Sequence, residues 1–384
     1  MRLFFFKLHR YFGIVIGGFI LIASLTGSAV AFYHPLDALI NPWQKSISKD
    51  GETPRDPLSL IDAVELHVKD AKVAWVSLSL SHQSSWLYFL EGANPKKFPT
   101  NNEVYVNPYN GEIKGMRSWG DIRQGIINLM PFLYALHYSM ALGTFGTGLM
   151  GFFALFWCGA ILIGVYLTLP KRQSKGWEEW KKTWQWRNPS TMHGKQYHWH
   201  KTGGLWLLGL MLILSYSSFA LNLPKLHQKF LGESNFQREH EQVKPLKKPL
   251  INPKMSWYDA REQGRVLMAE VANKEGFDVL EENALMYEQE EGVYVYTVKS
   301  TRDISQEHGS TSVYFDANHG NFLASFIPTG KKAGDTLTQW LYALHQGVLF
   351  GTAHKVVLFL LGIASSFFVI SGYYLWWKKR KPKQ

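Results

Sequence analysis

Leu133-Tyr134-Ala135-Leu136-His137 recurs unchanged as Leu341-Tyr342-Ala343-Leu344-His345. Five identical residues in a row, each copy just ahead of a long apolar block, mark an internal repeat, and the repeat decides the fold. A second match lies upstream of each copy. Val104-Tyr105-Val106-Asn107-Pro108-Tyr109-Asn110-Gly111 aligns with Val313-Tyr314-Phe315-Asp316-Ala317-Asn318-His319-Gly320. Both read as a strand, a tight turn ending at a glycine that tolerates positive φ, and a second strand. Helical patterns precede these hairpins, near residues 58–70 and 257–274. The earliest match is the loosest. His9-Arg10-Tyr11-Phe12-Gly13 and His200-Lys201-Thr202-Gly203-Gly204 share a histidine, a cation, two residues and a glycine.

Four blocks of this 384-residue chain reach the roughly 20 apolar residues that cross a bilayer. They lie at residues 11–33, 147–169, 202–224 and 356–377. Charged residues make up only 18% of the chain, low for a soluble protein, because uncharged blocks alternate with ordinary polar ones. The first block is too long for a signal peptide and has no clean cleavage site after it, so it reads as a retained helix. A net charge of +11 would suit a nucleic-acid binder. Here the cations gather at the ends of apolar blocks instead: Arg2, Lys7 and Arg10 before the first, Lys171 to Lys201 between the second and third, Lys378 to Lys383 after the fourth. That distribution places both termini and the central basic loop in the cytoplasm and leaves nucleic acid out as a partner. Membrane lipid is the expected neighbour, with Trp184, Trp186, Trp199, Trp376 and Trp377 at the inner interface.

The fold class that follows is membrane α-helical: four transmembrane helices in a pseudo-two-fold bundle with two periplasmic α+β modules. The expected order is a first helix (1–34), an outer module (35–125), an interfacial helix with the second span (126–170) and a cytoplasmic basic loop (171–201). The third span (202–224), a second outer module (225–335), an interfacial helix with the fourth span (336–377) and a cytoplasmic tail (378–384) complete it. Both halves start on the same side, so the repeat is parallel, with its axis along the membrane normal. That symmetry should bring His9 to His200 and His137 to His345.

Several chemistries drop out. The sole cysteine, Cys158, rules out an internal disulfide, a four-cysteine iron–sulfur cluster and c-type haem attachment. No nucleotide fingerprint or catalytic triad is visible, and no acidic residue lies within a span, which argues against a proton-coupled transporter. What remains is histidine. Two imidazoles from facing helices, with flat space between them, make a b-type haem site, and helix bundles commonly place cofactors this way. The symmetric candidates are His9 with His200 and His137 with His345, giving two non-covalent haem b groups. Gly13, Gly17, Gly18, Gly203, Gly204 and Gly209 on spans one and three would supply space. Arg10 and Lys201 are candidates to pair with propionates. Alternatives stay open at this stage: His34 and His354 border spans and compete for the outer pair. His193 and His198 read as solvated loop residues, with a transition-metal site or, for His198, a substitute ligand as the alternatives.

The His-cation-x-x-Gly helix starts, the Asn/Asp-x-x-x-Gly hairpins and the Leu-x-x-Leu-His segments resemble the PepSY-associated transmembrane family over nearly the whole chain. Within it, the architecture is similar to inner-membrane siderophore-iron reductases of the ferrioxamine type. The resemblance implies two b-type haems on His9, His200, His137 and His345, and electron transfer across the bacterial inner membrane to a periplasmic ferric siderophore. The donor would be a quinol or a cytoplasmic reductase. PepSY modules also occur in non-enzymatic proteins, so a membrane adaptor for a periplasmic protein or peptide competes, as does a siderophore permease.

Overall fold

The computed structural model describes residues 1–47, 52–80, 85–92, 101–170, 176–238 and 243–379. Lys171, Arg172 and Lys175 of the basic loop, Arg380, Lys381 and Lys383 of the tail, and His82 and His240 lie outside the described residues. The chain forms two units. One comprises Met1–Tyr33, Leu133–Phe230 and Leu341–Gln384, the other His34–Phe132 and Leu231–Trp340.

The first unit is helical. Arg2–Val30, Gly143–Thr168 and Gly351–Lys378 are each long and apolar enough to cross a membrane. The first of them, 29 residues long, rises about 43 Å against a hydrocarbon core of about 30 Å. The straight helix expected at residues 202–224 is not found; a bent helix pair stands there, which makes a fourth crossing if the pair is one span. The pair starts ten residues earlier and comprises Met192–Trp206 and Leu208–Asn222, turned through 73°. Two local causes are visible. Trp199–Gly203 is a π-helical turn, and Leu207 leaves helical geometry at φ −95°, ψ 7°. The preceding loop holds the bend: Thr202 donates to the Thr183 carbonyl (3.0 Å) and Trp206 Nε1 to the Trp184 carbonyl (2.9 Å). The three long helices and the bent pair are numbered spans 1 to 4 in chain order, the bent pair being span 3.

The two Leu-Tyr-Ala-Leu-His copies end short helices, Leu129–Ser139 and Ala333–Gln346. Left-handed backbone then turns the chain into the next span, at Met140, Ala141 and Gly143 in the first copy and at Gly347 and Gly351 in the second.

In the second unit the strands of the two expected modules share one sheet. Its strands are β1 (Ala71–Ser77), β2 (Trp86–Gly92), β3 (Glu103–Val106), β4 (Ile113–Arg117), β5 (Val279–Glu288), β6 (Val293–Ser300), β7 (Thr311–Asp316) and β8 (Phe322–Phe326). They form one eight-stranded antiparallel sheet in the palindromic order β4-β3-β2-β1-β5-β6-β7-β8. The halves meet at β1 and β5, in the register Trp75↔Met286, Val76↔Leu285 and Ser77↔Ala284. Each half alone would leave an apolar strand edge unpaired, and joining the edges satisfies both while burying Val76 and Leu285 completely. The two hairpins turn, as their sequences indicate, at Gly111 (φ 78°) and Gly320 (φ 71°). The helix Trp257–Glu275 starts at a Ser256–Asp259 capping box, stops at left-handed Gly276 and packs on β6 and β7. Its first-half counterpart, Ile61–His67, is shorter and is preceded by a 3-10 turn over Pro57–Leu60.

Two ionic networks stiffen this unit. Arg117, fully buried, forks onto both Asp37 oxygens at 2.9 and 2.8 Å and also pairs with Glu103. Arg261 pairs with Asp56 from the first half (2.7 Å) and with Glu282. Burial alone would raise the Glu282 pKa, but donors on Arg261, Arg265 and Tyr296 outweigh it and hold the carboxyl at about 2.

Candidate functional site

Four histidines of the helical unit come together in two pairs. The His9 and His200 ring centres lie 6.3 Å apart, and those of His137 and His345 6.1 Å apart. Each pair takes one member from each repeat. All four rings are half-buried, and each is fixed through Nδ1. His9 Nδ1 lies 2.9 Å from the Ala160 carbonyl oxygen, and His137 Nδ1 2.9 Å from that of Ala23. A carbonyl only accepts, so in both rings Nδ1 carries the proton.

The other two rings reach the same state through a serine. His345 Nδ1 lies 2.7 Å from Ser217 Oγ, whose own proton goes to the Leu214 carbonyl (3.0 Å). His200 Nδ1 lies 2.9 Å from Ser371 Oγ, whose proton goes to the Phe368 carbonyl (3.0 Å). With the hydroxyl proton committed, each Oγ can only accept from the imidazole. His9 and His137 are therefore Nδ1–H tautomers with an Nε2 lone pair, His200 and His345 share that form when each serine gives its proton to the carbonyl, and none of the four Nε2 atoms makes a hydrogen bond among the described residues. This is the state a metal-ligating imidazole adopts, one nitrogen held and the other free. Two imidazoles joined through one metal ion, at about 2 Å per bond, have ring centres about 6 Å apart.

Glycines shape the seats. A methyl group on Gly27 would come within 2.7 Å of His137 Cε1, and one on Gly164 within 3.2 Å of His9 Cε1. The corresponding approach of Gly372 to His200 Cε1 is 3.5 Å. Gly164 and Gly372 stand 27 residues beyond His137 and His345, at equivalent places in the repeat. Gly13 and Gly204, each four residues beyond a histidine of the first pair, border open space: a methyl at either would meet no protein atom within 4 Å. Gly17 is different, because it admits the Tyr373 hydroxyl and is a packing contact.

The remaining candidates sort clearly. Arg10 Nε is buried without a hydrogen-bond partner, although its guanidinium also lies over the Tyr11 ring at 5.0 Å. An unsatisfied buried guanidinium nitrogen next to His9 suits an anionic group. Lys201 Nζ lies over the Tyr197 ring at 5.6 Å. His198, read from sequence as solvated, is buried, and its Nε2 accepts the Arg187 backbone N–H at 2.7 Å, so it fastens the loop and has no free ligand nitrogen there. His34 belongs to the sheet unit, where its ring faces His308 at 6.4 Å. His354 lies in the first turn of span 4 beside Phe350, with Nδ1 unpartnered. Among the described residues no group of three or more His, Cys, Asp or Glu stands close enough to hold a metal ion.

Sequence reasoning missed Ser217, Ser371, Thr26, Gly27, Gly164 and Gly372. The repeat register would have found some of them. Counted from the histidines, Thr26 aligns with Ser217 and Gly164 with Gly372.

The chain has no significant match among curated proteins. The model of the PepSY-associated transmembrane region matches residues 6–379, nearly the whole chain, and the chain belongs to that family of membrane proteins.

Proposed function

We propose that this protein is a di-haem transmembrane reductase that delivers electrons to ferric siderophores outside the bacterial inner membrane. The observation that carries the reading is the set of four free Nε2 lone pairs in two cross-repeat pairs, 6.3 and 6.1 Å between ring centres. The donor set fits b-type haem: neutral imidazoles, preset tautomers, open space beside Gly13 and Gly204, and the unsatisfied Arg10 Nε for a propionate. Bound haem would supply one-electron transfer, which no side chain here offers. The protein's part is to hold the imidazoles. The Ala160 and Ala23 carbonyls and the Ser371 and Ser217 hydroxyls keep each Nε2 aimed, and apolar helices exclude water.

A quinol or a cytoplasmic reductase would provide the electron on the side of His9 and His200. One electron converts the bound ferric ion to ferrous, which hard oxygen donors hold less tightly, so the chelate releases it. The test is a purified, detergent-solubilised protein with close to two haems per chain. After dithionite reduction it should be reoxidised anaerobically by an iron-loaded siderophore, with a ferrous-specific chelator trapping the product. The gallium-loaded siderophore should leave it reduced, because gallium matches ferric iron in size and charge yet accepts no electron under these conditions. Haem-bearing protein that no ferric siderophore reoxidises would point to another acceptor.

A second reading rests on the sheet, which among the described residues ends in two strands, β4 and β8, each with only one strand neighbour. Such edges suit β-strand addition by a peptide, as in an adaptor. Colourless protein from haem-replete cells would favour that reading.

A further inference from the structure

The two repeats hold their histidines differently. In the first repeat both imidazoles bond directly to backbone carbonyls, His9 to Ala160 and His137 to Ala23. In the second repeat both bond to a fully buried serine, His200 to Ser371 and His345 to Ser217, although the His200 ring also interacts with the Phe368 carbonyl, the equivalent of Ala160. The difference is written in the sequence. Ser371, 26 residues beyond His345, stands where the first repeat has Ile163, which carries no hydroxyl. Ser217, 17 residues beyond His200, stands where the first repeat has Thr26. Thr26 commits its proton to the Ile22 carbonyl (2.7 Å) and sits 3.4 Å from His137 Nδ1, so it backs a ring that Ala23 already holds.

From this asymmetry we infer that Ser371 and Ser217 are positioning residues, one per site, that fix the tautomer and set the electron-donating strength of His200 and His345. The inference rests on the di-haem reading. Each serine forms a relay, Nδ1–H to Oγ and Oγ–H to a backbone carbonyl. Hydrogen bonds in such a chain polarise one another, so the carbonyl strengthens the hydroxyl as an acceptor. A stronger acceptor on Nδ1–H makes Nε2 a better donor, which favours ferric over ferrous iron. A directly bonded carbonyl has one fixed geometry. A serine between ring and carbonyl adds a side chain whose replacement tunes one ligand without moving the backbone, so the sites can be set independently. Both serines sit on the second repeat, so each pair has one fixed ligand and one tunable ligand.

The experiment is a redox titration of the full-length protein, with haem content measured alongside, for Ser371→Ala and Ser217→Ala. Each variant should raise the midpoint potential of one haem and leave the other unmoved, by about 59 mV for each tenfold loss of ferric preference. Haem affinity at that site should fall 10- to 100-fold, the usual consequence of removing a partner that orients a ligating histidine. Ser217→Thr, which keeps a hydroxyl at the same position, should retain the parent values. Ser371→Cys and Ser217→Cys, close in size but weak acceptors, should reproduce the shift and serve if an alanine variant is poorly folded. Two bound haems with both potentials unmoved across the alanine and cysteine variants would overturn this inference and leave the di-haem reading standing. A parent protein without haem would overturn both.

Discussion

Gly27→Ala tests the histidine seats most directly, because one methyl group is aimed at one ring. The new Cβ would stand 2.7 Å from His137 Cε1 and 3.1 Å from Nδ1. Ordinary carbon contacts begin near about 3.5 Å, so the ring must withdraw by about 0.8 Å. That movement breaks the 2.9 Å bond from Nδ1–H to the Ala23 carbonyl, and it exceeds the roughly 0.2 Å that a metal–ligand bond tolerates. The packing penalty is about 1–3 kcal/mol, and losing the orienting bond should weaken ligation by a further 10- to 100-fold. If the protein carries the two proposed haems, haem content should therefore fall from close to two per chain to close to one, read as extracted haem against protein mass.

The same geometry grades two controls. Gly164→Ala places its methyl 3.2 Å from His9 Cε1, where a few tenths of an ångström suffice, and should keep both haems with a shifted spectrum at one. Gly372→Ala approaches His200 Cε1 only to 3.5 Å and should be silent. Combining Gly27→Ala with His137→Ala removes the clash, so the double variant should be as stable as His137→Ala alone. Gly27→Ala with both haems intact, or Gly372→Ala as damaging as Gly27→Ala, would refute the seat described for these rings.

Other consequences are open to measurement. Replacing His9 or His200 by Ala should remove one haem and replacing His137 or His345 the other, whereas His34→Ala and His354→Ala should retain both; loss of haem from His34→Ala would reassign the second pair. Glu282→Gln should lower stability by about 2 kcal/mol at neutral pH, after allowing for screening at a carboxylate 21% exposed. Because its pKa is depressed from 4.5 to about 2, that contribution is complete above pH 4.5 and fades as pH falls toward 2, so denaturation midpoints of variant and parent should converge on acidification. Arg117→Met strands Asp37 and Glu103 in the interior and should cost about 3–5 kcal/mol, seen as a loss of folded protein on expression.

The sequence exposed the pairing of the histidines because identical motifs flank both copies, and symmetry alone then brings equivalents together. Long apolar helices overlap the expected spans 1, 2 and 4, where charge and apolarity change abruptly, the first starting nine residues ahead at Arg2. Span 3 was not legible in this way. Its bend depends on the π turn at Trp199–Gly203 and on bonds from Thr202 and Trp206 to the Thr183 and Trp184 carbonyls, which no hydropathy window registers. The joined sheet was hidden for a similar reason. The hairpins declare themselves locally, but the β1–β5 pairing links residues about 200 positions apart and is set by complementary edges. The serines escaped notice because Ser217 and Ser371 look like ordinary small residues in membrane helices until the ring they touch is known.

Both units are built so that neither repeat suffices alone. In the helical unit the main seams cross repeats. Span 1 meets span 4, where Tyr373 donates to the Ile14 carbonyl (2.9 Å) and Ser28 to the Phe359 carbonyl (3.0 Å). Span 2 meets span 3, where Cys158 Sγ donates to Ser215 Oγ (3.0 Å). The Nδ1 anchors, by contrast, all stay within a repeat: Ala160 and Ala23 serve the first, Ser371 and Ser217 the second. Each repeat thus anchors its own imidazoles, and packing of the two repeats then brings the ring centres of each pair to 6.3 and 6.1 Å. The sheet unit follows the same logic, with each half forming its own hairpins and the β1–β5 register making one sheet of them. Division of labour of this kind lets ring orientation and ring separation vary independently. A change at an anchor alters one ligand, whereas a change at a seam such as Tyr373 against Gly17 alters the spacing between repeats and so bears on both pairs at once.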